Sequence, residues 1–389
     1  MSDVVVLSAV RTPIGRFMGG LTAVPAPRLG SLVINEAVRR AGVTPDAVSE
    51  VLMGNVLTAG LGQAPARQAS LAAGLPEAVP ATTINKMCGS GLKAVMLGTQ
   101  AIQAGDAEIV VAGGMENMSG APFLAERVRT GYRLGNGTLV DVILRDGLVD
   151  AYHNIHMGNC AEILARTYNI SREAQDAYAA ESYRRAIAAM DTGEFAAEIL
   201  QVAADSGPPI VEDEEPRRVL FEKIASLKPA FEEGGTVTAA NASSISDGAA
   251  AVVLATEEVA RRLGRAPLAR IVGQAGAAMA PEWFTIAPAE ATRRLLNRVG
   301  WTTDDVDLFE INEAFAAVVL GVVRELGIGL DRVNVRGGAV AMGHPIGASG
   351  ARILTTLLHA MTARSARRGV AAVCLAGGEA VAVAVERPA

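Results

Sequence analysis

"NKMCGSGLKAV" (Asn85–Val95) separates two different patterns. The residues before it, "ATTIN", are β-type, and those from Leu92 onward, "LKAVMLGTQAIQAG", are helical. A strand that turns directly into a helix is the repeating unit of a sheet covered by helices on both faces. Cys88 stands at the joint, and Gly89 and Gly91 offer the backbone freedom for a sharp turn. A thiol placed there feels the unpaired amides and positive end of the following helix, which favour thiolate. Two readings follow. Cys88 is either a nucleophile or a small buried residue that happens to open a helix.

The same alternation extends outward from this joint. "VVVLSAV" and "VSEVLMGNVL" are strands, "RLGSLVINEAVRRAG" and "APARQASLAAG" are helices, and "EIVVAGG" closes the series as a strand. From Glu116 to about Asn241 the pattern changes. "SREAQDAYAAESYRRAIAAMDTG" is a clear helix, with Ser171 as N-cap, Glu173 and Asp176 near its positive end and Gly193 as its stop. "DSGPPIVEDEEPRR" is a polar, proline-rich surface stretch. The middle segment therefore reads as an insertion. Beyond it the chain repeats itself. "TPDAVSEVLMGNV" (Thr44–Val56) is echoed by "TTDDVDLFEINEA" (Thr302–Ala314), and the segment Cys88–Gly114 by Gly347–Gly378. A duplication at so long a spacing predicts two similar α/β halves rather than a solenoid.

The bulk properties agree. At 389 residues the chain exceeds one simple core. It is 50% hydrophobic and 20% charged, with a mean hydropathy of +0.28, which fits a packed globular protein. Aromatic residues are only 4%, so aliphatic side chains must build the core. A net charge of −6 gives no electrostatic case for nucleic acid or an anionic membrane as partner. The N-terminus lacks signal-peptide character, and no apolar run reaches the ~18–20 residues of a membrane helix. Cys88, Cys160 and Cys374 have no CxxC spacing and suit free thiols in a reducing cytoplasm.

Four short motifs fall at strand ends or strand–helix turns, where α/β proteins place their chemistry. They are the Cys88 loop, "NEAFA" (Asn312–Ala316), "GHPIGASGAR" (Gly343–Arg352) and "CLAGG" (Cys374–Gly378). Each has a plain alternative. His344 alone suits a structural histidine, Asn312 a helix cap, Cys374 a small core residue, and Gly343, Gly347 and Gly350 packing glycines. Four such coincidences at equivalent turns are less easily dismissed.

Together these residues resemble the thiolases, the acyl-CoA C-acyltransferases. The resemblance runs from "VRTPIGRF" through "GGMENMS", "HMG", "GTVTAANAS" and "NEAF" to the last strand. The pair "NKMCGSGLKAV" and "GGAVAMGHPIGASGAR" is its most specific part. "IHMGNCAEILARTYNISREAQDAYAAESY" and "IAPAEA" resemble the acetoacetyl-CoA thiolases (acetyl-CoA C-acetyltransferases) within that family. The resemblance implies an α/β fold of duplicated five-layered α/β/α/β/α halves with an inserted loop domain, assembled as a homodimer or homotetramer. The boundaries expected are 1–117 for the N-terminal half, completed by 244–265; 118–243 for the inserted, CoA-binding loop domain; and 266–389 for the C-terminal half.

The resemblance also implies a chemistry: reversible Claisen condensation of two acetyl-CoA to acetoacetyl-CoA plus CoA. A thiolate exchanges readily with a thioester, so Cys88 would carry the acyl group, its pKa lowered by the helix N-terminus and by His344 as base. Cys374 would move the proton at the substrate's α-carbon. One oxyanion site would combine His344 with a water held by Asn312; the other would use the N–H groups of Cys88 and Ala376. The family usually has glycine at position 376, so the alanine is expected to displace that N–H and slow the reaction. Coenzyme A, a substrate rather than a cofactor, would contact His156, Met157 and Ser243, with Phe315 lining the acyl site and Arg218 and Lys223 facing the nucleotide phosphates. Tyr183, Ala239, Ala240, Ala242 and Val340 resemble a K+ site of some acetoacetyl-CoA thiolases. Rival readings are a degradative thiolase of broader chain length, a ketoacyl synthase, and a weakly active or non-catalytic acyl-CoA or lipid carrier on the same scaffold.

Overall fold

The computed structural model describes residues 3–203 and 208–388. Its strands are β1 (Val4–Arg11), β2 (Glu50–Gly54), β3 (Ala81–Ile84), β4 (Ile109–Asn117), β5 (Ser246–Thr256), β6 (Ala269–Ala278), β7 (Leu308–Ile311), β8 (Arg368–Leu375) and β9 (Glu379–Glu386). They run side by side in the order β7-β8-β9-β6-β1-β5-β4-β2-β3. The order is palindromic about the β1–β6 junction, where Val4 faces Ile271 in antiparallel register. Outward from it, β5 and β9 are antiparallel neighbours, β4 and β8 pair antiparallel with those, and β2 and β7 pair parallel with β4 and β8. The duplication read in the sequence is thus a duplication of strand topology.

The helices that matter for the site are α1 (Ala26–Ala41), α2 (Pro65–Ala72), α3 (Ser90–Ala104), α4 (Met157–Thr167), α5 (Arg172–Asp191), α6 (Ala287–Val299), α7 (Ala316–Leu326) and α8 (Ile346–Ala363). Side chains alternate across each strand, and here the alternation sorts them into different cores. Val4 and Val6, Val110, Val252, Val373 and Val383 enclose a central core with Leu92 and Val95 of α3 and Ile353 and Leu357 of α8. Val5, Val111 and Val253 point the other way, against Leu29 and Val33 of α1. In the second half Ala372, Cys374 and Ala382 turn outward, against Leu295 of α6 and Val318 of α7. The five layers α/β/α/β/α therefore span both halves: α1 outside, one half-sheet, α3 and α8 in the middle, the other half-sheet, α6 and α7 outside. Each fully buried valine or leucine in these faces contributes about 1.5–3 kcal/mol.

The middle segment lies between β4 and β5. It contains a two-stranded ribbon (Phe123–Ala125 with Leu139–Asp141), α4 and α5. Ser171 caps α5, its hydroxyl accepting the Ala174 N–H at 3.2 Å. Buried Arg11 of β1 ties the segment down. Its guanidinium is bidentate on Asp213 at 2.7 and 2.9 Å and also meets Glu198. Removing one partner of such a buried pair costs about 3–5 kcal/mol. Among the described residues no helix is long and apolar enough to cross a membrane.

Candidate active site

After β3 the chain turns through Lys86 and Met87 into α3. Ser90 Oγ accepts the Lys86 N–H at 2.8 Å and donates to the Met87 carbonyl at 2.6 Å, which tightens the loop around Cys88. The left-handed residue here is Met87, at φ 48°. Gly89 sits at φ −86°, so sharp turning is not its task. A Cβ on Gly89 would stand 2.3 Å from Leu375, and one on Gly91 would stand 2.8 Å from the Ala351 amide. Both glycines are there for close approach between the halves.

Cys374, the last residue but one of β8, lies behind this loop, fully buried, and the three-residue turn Ala376–Gly378 leads into β9. The backbone N–H groups of Cys88 and Ala376 converge on the Cys88 sulfur and favour its thiolate. Cys88 is half-buried at the cavity wall, and desolvation by the surrounding atoms outweighs them. That desolvation pushes the Cys88 thiol up to about 12, with a further rise from the charge of Glu116. The shift runs opposite to the lowering expected from the helix terminus, because desolvation is the larger effect. Burial, then the neighbouring Cys88, also hold the Cys374 thiol far above its ordinary range.

His344 precedes α8 and is held from both sides. Its N–H donates to the Ser244 carbonyl at 3.0 Å, and its Nδ1 lies 2.6 Å from Ser349 Oγ. Ser349 Oγ donates in turn to the Pro345 carbonyl at 2.9 Å. That hydroxyl can then only accept from Nδ1–H, so the Nε2 lone pair is free. Nε2 is buried with no partner in the protein. Burial, aided by the positive charge of Arg352, lowers the imidazole to about 3 and keeps it neutral. A neutral thiol and a neutral imidazole replace the lowered-pKa pair anticipated for Cys88 and His344.

Asn312 follows β7, with its N–H on the Ala372 carbonyl at 2.9 Å. Its side-chain amide is buried, and neither Oδ1 nor Nδ2 meets a protein group. It does not cap a helix: α7 begins at Ala316, with Phe315 in the cap position and no side-chain bond. Two orphaned polar atoms at this depth demand a water or a ligand.

Ala376 corrects an expectation. It is absent from the residues with positive φ, whereas Gly377 and Gly378 stand at 92° and 81°. The turn places its glycine requirement one residue later, so alanine at 376 is unstrained and its N–H remains aimed at Cys88.

A cavity of about 350 Å3 joins these parts. Cys88, His344, Ala376, His156, Met157, Ser243 and Phe315 line it. His156 caps α4, its Nδ1 accepting the Gly158 N–H at 3.0 Å, so its proton is on Nε2. Its ring stacks on Phe231 at 4.7 Å, and Phe231 meets Phe315 edge-on at 6.0 Å. Asn159 fixes this wall by bonding the His156 N–H and the Phe231 carbonyl. Ser243 Oγ donates to the Ala314 carbonyl at 2.9 Å and keeps lone pairs for a ligand. Met118, Leu148, Phe231, Ile245 and Phe284 complete an apolar wall that the sequence did not reveal. Arg218 and Lys223 stand outside the cavity wall, at the surface, with Arg218 3.9 Å from Glu215. Of the K+ residues, Ala239 and Ala242 line the cavity. Tyr183 is pushed up to about 12 by burial and by the nearby carboxylates of Glu215 and Glu313. Val340 gives its N–H to Glu313 at 3.0 Å. A larger cleft of about 490 Å3, between Pro25 and Gly60, contains neither cysteine nor histidine.

A thiol, a histidine with a free Nε2 and converging N–H groups therefore line one apolar cavity, while Cys374, behind Cys88, and Asn312 are buried outside its lining. The comparisons with known proteins agree with that set. Residues 4–258 match the N-terminal thiolase domain, and residues 265–387 match the C-terminal thiolase domain. The chain belongs to the thiolase family. This thiolase is 54% identical, over the full length of both chains, to an acetyl-CoA acetyltransferase of Cupriavidus necator. It is 51% identical to a mitochondrial acetyl-CoA acetyltransferase A of Xenopus laevis, over all of this chain and 92% of the relative. Among solved structures, a thiolase from Ascaris suum in complex with coenzyme A superposes with a TM-score of 0.95 at 47% identity, over 99% of this chain and 100% of the other. The acetyl-CoA acetyltransferase of Bacillus anthracis gives 0.97 at 43% identity, over 99% of both chains.

Proposed function

We propose that this thiolase is an acetyl-CoA C-acetyltransferase, joining two acetyl-CoA into acetoacetyl-CoA and CoA, and running in reverse as a thiolase of short 3-ketoacyl-CoA. The observation that carries this is Cys88 in one short, apolar cavity with the free Nε2 of His344 and the N–H groups of Cys88 and Ala376.

His344 Nε2 takes the Cys88 proton as the sulfur attacks the acetyl thioester. The C–S bond to coenzyme A breaks, and the departing thiolate recovers that proton from the imidazolium. The tetrahedral oxyanion faces the N–H groups of Cys88 and Ala376. A second acetyl-CoA then enters. Cys374 passes its proton to His344 Nε2 and, as thiolate, removes the α-proton; the resulting carbanion attacks acetyl-Cys88, and the released Cys88 sulfur takes the imidazolium proton. Burial makes the Cys374 thiolate a strong base. The enolate oxygen is met by protonated His344 Nε2 and by a water on the orphaned amide of Asn312.

Met157, Phe231, Phe284 and Phe315 limit the acyl group to a short one. The pantetheine arm passes His156 Nε2–H and Ser243, leaving the nucleotide near Arg218 and Lys223. Tyr183, with Glu215 and Glu313 close by, suits a K+ that would also take backbone carbonyls of residues 239–242 and hold that loop in place. The enzyme works as a homodimer or homotetramer in the cytoplasm. The test is thiolysis of acetoacetyl-CoA by free CoA, followed by loss of enolate absorbance, against a series of longer 3-ketoacyl-CoA. Turnover falling with chain length supports the reading; no turnover, or a preference for long chains, overturns it.

A further inference from the structure

Glu116, in the "GGMENMS" segment, is the last residue but one of β4, is fully buried and does not line the substrate cavity. Its carboxylate accepts four hydrogen bonds. Three come from the loop after β2: Asn55 Nδ2 at 2.6 Å, the Val56 N–H at 3.0 Å and the Leu57 N–H at 3.1 Å. The fourth comes from the other half, the Gly347 N–H in the first turn of α8, at 2.8 Å. The seam is tight on every side here. A Cβ on Gly114, Gly54 or Gly91 would stand 2.1, 2.7 or 3.2 Å from the Gly347 carbonyl. A Cβ on Gly347 itself would stand 2.6 Å from Glu116. Gly347 lies between His344 and Ser349, the residue that holds the His344 ring.

We infer that Glu116 is a positioning residue, a carboxylate that pins the start of α8 to the Cys88-bearing half and so fixes His344 against Cys88. The inference rests on the thiolase reaction assigned above to those two residues. No other carboxylate links the same two segments among the described residues. A charge-assisted bond to a helix's first turn also gains from the dipole. Ile346, in that same first turn, lines the cavity together with His344 and Cys88, and misplacing a base by about 1 Å costs on the order of 10²-fold in rate. Burial raises the Glu116 carboxyl to about 7 despite its four bonds, and where it is ionised its charge opposes the ionisation of Cys88. The other titratable groups facing that thiol are His344 and Cys374.

The two effects separate in two variants. Glu116→Asp keeps the charge and loses the reach across the seam. Glu116→Gln keeps the reach and loses the charge, and its NH2 opposes one pair of donors. Both are expected to lower kcat for acetoacetyl-CoA thiolysis about 10- to 100-fold with KM little changed, since neither touches the cavity wall. Only Glu116→Gln should shift iodoacetamide alkylation of Cys88 to lower pH. Wild-type turnover in the same assay tests the reaction itself, so its absence would refute that assignment rather than the role of Glu116. With wild type active, both variants within twofold of its kcat would overturn the inference. If neither accumulates as folded protein, Asn55→Ala, which removes only the shortest of the four bonds, decides: a fall in kcat at constant KM supports the role, and an unchanged kcat overturns it.

Discussion

Replacing Ser349 by alanine removes one hydroxyl and leaves the fold's contacts almost untouched. In the native protein that hydroxyl accepts from His344 Nδ1 and donates to Pro345. Without it, Nδ1–H is a buried donor with no acceptor, which costs about 1–3 kcal/mol. Moving the proton to Nε2 leaves an equally unpaired donor, so the native preference for the Nδ1–H tautomer is lost and both tautomers are populated. In the Nε2–H tautomer that atom has no lone pair to take the Cys88 proton. Loss of the tautomer preference costs about twofold, and loss of the bond that orients the ring adds up to about 10²-fold for a base misplaced by about 1 Å, so kcat should fall within that range. Because His344 is neutral in both tautomers, the charge balance should not change, while the orphaned donor should lower stability by about 1–3 kcal/mol. The assay is single-turnover acetylation of Cys88 by acetyl-CoA, with thiolysis kcat alongside it and a Ser349→Thr control that restores an acceptor. Acetylation of the alanine variant at the wild-type rate would refute the assignment of Nε2 as the base.

Three other outcomes are expected. Cys374→Ala should still acetylate Cys88 but lose condensation by about 10²–10⁴-fold, measured as acetoacetyl-CoA formed per enzyme; near-normal turnover would place the α-proton elsewhere. Since burial holds the Cys88 thiol at about 12, its alkylation rate in resting enzyme should climb with pH throughout the range where the protein is folded. A plateau near neutrality would show a resting thiolate instead. Ala376→Gly should lower stability by about 0.4–1 kcal/mol in denaturant unfolding without raising kcat, because the alanine is already in an ordinary conformation.

The last of these reverses what the sequence alone suggests, and the reason is instructive. A missing glycine in a turn reads as strain, but the strain depends on φ, and φ depends on where the β8–β9 turn sets its left-handed residues. The same limit applies to Cys88. Its position at a strand–helix joint was legible from periodicity, and so were Asn312, His344 and Cys374, because each closes an apolar strand or opens a helix with small residues. The depth of the thiol was not legible, since it depends on Leu375 and Ala351 packing over the loop from the other half. Alternating valines such as Val4, Val5 and Val6 announced strands buried on both faces, and Ser171 announced the start of α5. Glu116 and Glu313 gave no local sign. Glu116 meets Gly347, 231 residues away, and Glu313 gathers Tyr178, Ser182, Asn334 and the Val340 N–H from three other segments. The cavity wall was hidden for a different reason: Leu148, Phe231 and Ile245 lie in segments without periodicity, where apolar residues carry no orientation.

The covalent intermediate is the claim on which the rest depends. Wild-type enzyme mixed with acetyl-CoA in the absence of free CoA, quenched in acid, digested and mapped by mass spectrometry should carry one acetyl group, on the peptide containing Cys88. An acetyl group found on Cys374 or Cys160, or none at all while acetoacetyl-CoA still accumulates, would contradict it.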